Sequence, residues 1–347
     1  ASGVKLGTDA NTRYGFIGDG SEADAFDGDR NNLYYDGDIA EIIYFKNNSL
    51  GSTEINKIQS YLSVKYGTTL DMADDPSTVG INESNYHASD NSVIWDRAAN
   101  ASYHNNILGI GRDDNSLLDK RKSKSAYDDA VLMLEKTTAF TSDLNYVVVG
   151  SNAQTGIDNG APSGYQFISK QKWKVNVRGT SQTVNVSMDL NNAEFPVTDD
   201  PADYALLIDT DEDFTTGATE YTSGITFSGN TITFIDVSLS DGNYIALVVA
   251  NISTPAGMGS LPELWYKADS KIDLNVGNVN QWTDNSPYSI DASQGSSASM
   301  PAYTNDLLDE SFNYQPYLTF DGNDDWLAVN HSYSDDDFGQ VYVFTVF

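Results

Sequence analysis

The sequence predicts an all-β protein assembled from sandwiches, with a single helix. Turn dipeptides that tolerate positive φ recur: Asp27-Gly28, Asp36-Gly37, Asn159-Gly160, Asp241-Gly242 and Asp321-Gly322. Between them lie short runs rich in β-branched and aromatic residues. One run, Thr183–Leu190, alternates strictly, with Val184, Val186, Met188 and Leu190 on one face. Many short strands separated by regular turns are the pattern of sandwiches.

The elements follow in chain order. Ile39–Phe45 reads as a strand. Ser52 can cap a helix over residues 53–66, and Ile55, Ile58, Leu62 and Tyr66 form one apolar stripe along it. Gly67 supplies a left-handed stop. Asp71–Ser77 is a polar, proline-bearing break. Strands are expected at Tyr146–Val149, Trp173–Val177, Val184–Leu190, Tyr204–Ile208, Thr231–Ile235 and Tyr244–Val249. Small residues within Asn251–Ser260 mark a linker, placed at 254–260. Val341–Phe347 closes the sequence as a strand that is apolar along its length and must be covered. The expected domains are therefore 1–71, 72–253 and 261–347.

Composition narrows the function. The 347 residues suit two or three domains. Fifty acidic against 19 basic residues give a net charge of −31, so nucleic acid and anionic membrane surfaces are improbable partners and cations are attracted. No apolar run reaches the roughly 20 residues needed to span a bilayer. Cysteine is absent, so burial or bound ions must stabilise the fold.

Leu261-Pro262-Glu263-Leu264-Trp265-Tyr266-Lys267-Ala268-Asp269, Gln281-Trp282-Thr283-Asp284-Asn285-Ser286 and Phe320–Leu327 together resemble the first half of a laminin-G/concanavalin-A-like jelly roll. Tyr35–Phe45, a helix and Lys65-Tyr66-Gly67 resemble the close of the same domain. Tyr86–Asp90, Val93–Asp96, Ile107–Asp114, Lys172–Val175 and Ile208–Phe214 resemble the β-rich module that follows it in giant repetitive surface proteins of marine and gliding bacteria. The resemblance implies a concanavalin-A-like jelly roll split between the two chain ends, with a β-sandwich in the middle. It further implies a segment of a tandem array, located outside the cell or on its surface.

Asp209-Thr210-Asp211-Glu212-Asp213 is the best metal candidate. Alternating carboxylates in a tight loop can converge on one hard cation, and Glu220 stands at the twelfth position from Asp209. Calcium on Asp209, Asp211, Asp213 and Glu220 is the expectation. An EF-hand is rejected, because Phe214 occupies the glycine position and the flanks read as strands. Gly18–Asp29, Asp335–Asp337 and the pair Asp321 and Asp325 are weaker acidic candidates. Trp265, Trp282 and Trp326 could stack on a sugar, but Trp265 and Trp326 sit in apolar contexts that favour core packing.

No catalytic constellation emerges. Glu22-Ala23-Asp24-Ala25-Phe26-Asp27 is not the Glu-x-Asp-x-x-Glu strand of concanavalin-A-like glucanases. His87, His104 and His331 show neither zinc spacing nor an evident serine partner. Gly109-Ile110-Gly111-Arg112 lacks the spacing of a phosphate loop. The expected function is a non-catalytic repeat segment of a large extracellular adhesin or filament. Its partners would be neighbouring copies, with complementary half jelly rolls either pairing head-to-tail between copies or closing on each other within one chain. A polysaccharide-binding lectin is the alternative, and a glycan-cleaving enzyme the more remote one.

Overall fold

The computed structural model describes residues 19–21, 30–34, 36–45, 50–70, 84–198, 200–258, 260–286, 288, 290–306, 308–329 and 341–347. The chain divides into two units, 1–49 and 50–347. In the first, β1 (Asp19–Ser21) pairs antiparallel with β2 (Arg30–Tyr34).

The second unit opens with α1 (Ser52–Tyr66), followed by the hairpin β3 (Tyr86–His87) and β4 (Val93–Trp95). The strands that follow are β5 (Asn105–Asp113), β6 (Leu118–Lys120), β7 (Lys122–Lys124), β8 (Leu132–Glu135), β9 (Asn145–Ser151), β10 (Ile157–Asp158), β11 (Phe167–Ser169) and β12 (Trp173–Arg178). Next come β13 (Gln182–Asp189), β14 (Tyr204–Asp209), β15 (Thr219–Tyr221), β16 (Ile225–Ser228), β17 (Thr231–Leu239) and β18 (Tyr244–Val249).

These strands build two antiparallel sheets. One has nine strands in the order β10-β11-β18-β12-β9-β5-β6, with β14 also on β18 and β15 on β14. The other has five, in the order β16-β17-β13-β8-β7. The main core lies between them. Leu108, Ile110, Val147, Val149, Val175, Leu206, Ile208 and Leu247 come from the larger sheet; Leu132, Leu134, Val184, Val186, Met188, Ile232 and Phe234 come from the smaller. The protein is thus an all-β sandwich with one long helix among the described residues.

The far face of the nine-stranded sheet is covered too. Val64, Tyr86, Ile94, Trp95, Tyr103, Tyr146 and Val148 form a second cluster beneath α1 and the β3–β4 hairpin. Phe214, Ile168, Ala205, Leu207, Ala246 and Val248 form a third. Burial on both faces explains why β9, β14 and β18 read as unbroken apolar runs.

The helix forms where expected but turns a different face inward. Asn56, Ser60, Ser63 and Val64 are buried, while Ile55 and Tyr66 of the expected stripe are exposed. Close approach is the reason. A Cβ on Gly109 of β5 would lie 3.2 Å from Val64 Cγ1, and Ser60 Oγ accepts the His87 backbone N–H at 2.9 Å. A helix this near a sheet needs small side chains underneath. Gly51 is the N-cap rather than Ser52, and its N–H donates to Glu54 Oε2 at 2.9 Å. Gly67 ends the helix at φ 73°, as expected; a Cβ there would lie 2.4 Å from the Lys124 carbonyl oxygen. α1 packs on β3 and β5 and lies in the second compact unit, which begins at Leu50.

Residues 272–329 form a third sheet from β19 (Ile272–Asn275), β20 (Asn278–Trp282), β21 (Ala292–Ser293), β22 (Ala302–Thr304), β23 (Tyr317–Thr319) and β24 (Ala328–Val329), in the order β23-β22-β20-β21-β24 with β19 on β20. The buried carboxylate of Asp284 braces its approach. It accepts the backbone N–H of Trp265 and of Ser286, each at 2.8 Å, and that of Ile290 at 3.1 Å. Leu274, Phe320, Trp326 and Val329 remain exposed. Core packing was expected for Trp326; the indole is instead 54 % exposed, because the flanking Asp321–Asp325 loop lies at the surface and gives it little cover.

Two expected strands are not strands. Ile39–Phe45 and Val341–Phe347 are not hydrogen-bonded into a sheet, and their large apolar side chains are exposed. A strand exists only through its ladder, and neither segment has a ladder neighbour among the described residues.

Candidate functional site

Asp209 is the last residue of β14, opposite Tyr244 of β18, and its carbonyl accepts from Asn243 Nδ2 at 3.3 Å. The chain then makes the loop 210–218 and returns as β15. Phe214 anchors this loop by burying its ring against Ile168, Ala205, Leu207 and Val248. An aromatic at the EF-hand glycine position is therefore a packing residue.

The carboxylates of the loop take separate partners. Asp209 is buried, and its Oδ1 accepts the Thr210 N–H at 2.6 Å. Asp211 Oδ1 accepts the Asp213 N–H at 2.9 Å. Asp213 Oδ1 accepts the Thr215 hydroxyl at 2.6 Å and the Thr215 N–H at 3.1 Å; these bonds hold its carboxyl below the usual carboxylate range. Glu212 engages the Tyr103 hydroxyl, whose pKa is raised by burial and then by that carboxylate. Glu220 Oε2 accepts the Tyr165 hydroxyl at 2.9 Å. Burial first, and Glu220 second, push that phenol up to about 12.

Asp209, Asp211, Asp213 and Glu220 therefore do not close on one point. Short Asp-x-Asp and Asp-x-Thr turns draw Asp211 and Asp213 back onto their own loop backbone, and Tyr165 holds Glu220 on β15. Among the described residues, three carboxylates converge only at Asp321, Asp324 and Asp325, with ligand atoms within 4.8 Å of one another. That cluster is a loop brace at the surface: Asp325 Oδ2 accepts the Asp321 N–H at 2.9 Å, and Asp321 Oδ1 accepts those of Asn323 and Asp324. The Gly18–Asp29 loop falls largely, and Asp335–Asp337 entirely, outside the described residues.

The two described histidines have structural partners. His104 Nδ1 accepts the Trp95 indole N–H at 3.0 Å, so Nε2 carries the proton and donates to the Leu70 carbonyl. His87 Nδ1 lies 3.1 Å from the Asn91 carbonyl oxygen. His331 is outside the described residues.

Sequence reasoning did not single out Asp113. This carboxylate is fully buried at the end of β5. It accepts from Ser89 Oγ at 2.6 Å, Ser89 N at 2.9 Å, Tyr146 Oη at 2.8 Å and Ser116 N at 3.2 Å. The signal was the Gly-x-Gly-Arg-Asp string. Gly111 leaves room for the Tyr146 ring, since a Cβ there would lie 2.4 Å from its Cδ1.

These features define a two-sheet β-sandwich whose outer face carries a close-packed helix. Residues 54–243, more than half of the chain, match the family model described as a domain of unknown function, DUF8202, and the chain belongs to that family. The match begins inside α1, so the helix is part of the family domain. No curated protein and no solved structure matches the chain.

Proposed function

We propose that this protein is a non-catalytic, adhesive or structural segment of an extracellular bacterial surface array, in which copies associate head-to-tail. The sheet of 272–329 and the Val341–Phe347 segment of one copy meet the 1–49 unit of the next and complete a jelly-roll sandwich. One observation carries the reading: Val341, Val343, Phe344 and Phe347 are exposed in one unit, and Ile39, Ile42, Ile43, Tyr44 and Phe45 in the other. Apolar runs of this kind normally mark an interaction surface. The closed sandwich between them suits a spacer, and the acidic charge keeps copies soluble. The surface location rests on the resemblance to repetitive adhesins. Sedimentation velocity over a concentration series tests the association. Species that grow with concentration support it, and one monomeric boundary throughout contradicts it.

Trp326 favours a second reading. Its exposed indole follows Asp324 and Asp325, an aromatic platform beside polar groups of the kind that binds sugars. A glycan array separates the readings: saccharide hits lost in Trp326→Ala support the lectin, and a blank array opposes it.

A further inference from the structure

Asp209 presents an unsolved charge problem. It is only 6 % exposed, and its Oδ2 is buried with no hydrogen-bond partner. Buried carboxylate oxygens are costly to leave bare. Oδ1 faces into the loop, since it takes the Thr210 N–H, and on the returning limb a Cβ at Gly217 would lie 4.0 Å from it. The carboxylate thus lies between the two limbs of the 210–218 loop. Gly217, on the limb facing it, has φ 90°, a backbone conformation that favours glycine.

Cationic side chains do not solve the problem. Lys172 Nζ stands 5.6 Å from the Phe214 ring, and its charge acts on Asp213. Asn243 Nδ2 reaches the Asp209 carbonyl, not its carboxylate. Asp211, Glu212 and Asp213 add negative charge along the same loop. Every side-chain donor atom from Asp209 to Gly217 is a hard oxygen, with no histidine or cysteine for a softer metal.

We propose that the 209–217 loop binds one calcium ion, anchored on the unpartnered Oδ2 of Asp209. The site differs from an alternating-carboxylate cage. Asp209 is the fixed ligand, Glu220 is excluded by its bond to Tyr165, and loop oxygens and water complete a shell that calcium fills flexibly. Phe214 holds the loop in place when the ion binds.

Calorimetric titration of calcium chloride into the chelator-stripped full chain tests this. One site per chain is expected in the loop. Asp209→Asn should weaken it at least tenfold, and Asp321→Asn should leave it unchanged. Manganese added to the unaltered chain should broaden the amide resonances of 210–217 first, which decides the matter without any variant. Absent binding overturns the proposal. So does unchanged affinity in a folded Asp209→Asn protein, or broadening centred on 321–325. Calcium is counted per chain whatever the association state, so failure of binding is distinct from failure of the head-to-tail association.

Discussion

Tyr146 lays its ring across Gly111 on the neighbouring strand and donates its hydroxyl to the buried carboxylate of Asp113 at 2.8 Å. That one contact joins β5, β9 and, through Ser89, the segment that follows β3. Tyr146→Phe should destabilise the fold by about 2 kcal/mol, the scale of a hydrogen bond to a charged group. Gly111→Ala should cost about as much or more, because Asn145 O also lies 2.9 Å from the new Cβ. Denaturant titration reads both. A loss under about 0.5 kcal/mol for Tyr146→Phe would show that Asp113 is not its acceptor.

The same carboxylate sets an acid dependence. Burial pushes the Asp113 pKa up, but hydrogen bonds from Ser89, Tyr146 and Ser116 outweigh it and hold the folded value below the ordinary one. The unfolded group titrates near about 3.9. Its contribution is therefore complete above about pH 5 and is lost as the pH falls through the folded value. Unfolding free energies of the native chain and Asp113→Asn should converge as the pH is lowered from 6 toward 3. A gap that stays constant would contradict the assignment.

Helix α1 offers a test of which face carries the energy. Ile55 is 40 % exposed, so Ile55→Ser should change stability by less than about 0.5 kcal/mol. Ser60 is buried and accepts the His87 N–H, so Ser60→Leu should cost about 2–3 kcal/mol through overpacking and a lost partner. The reverse order would restore the apolar stripe as the packing face.

Those predictions mark where the sequence was readable. Glycine at 67 and the β-branched runs of β9, β12 and β18 act locally, so their elements were legible. The packing face of α1 was not, because it depends on Gly109, more than 40 residues away. The strands expected at Ile39–Phe45 and Val341–Phe347 have strand composition, but composition does not supply a ladder partner. At the candidate site, alternation drew attention to Asp209. It could not show that Asp211 and Asp213 turn back onto their own loop, or that Tyr165 captures Glu220.

His104 should be neutral, with its proton on Nε2, because Nδ1 accepts from Trp95. Long-range nitrogen–proton correlation spectra report the tautomer directly. An Nδ1–H signal would contradict the buried pair.

The central claim is that the exposed apolar segments at the two ends of the described chain are complementary, each covering the other's counterpart in a neighbouring copy. Phe344 is 93 % exposed, so Phe344→Asp should spare the fold and block one end, and Ile43→Asp should block the other. Each variant alone should sediment as a monomer. Mixed in equal amounts, they should form a capped heterodimer and nothing larger, since one intact head meets one intact tail. Monomers in the mixture, or association that persists in either variant alone, would contradict the account.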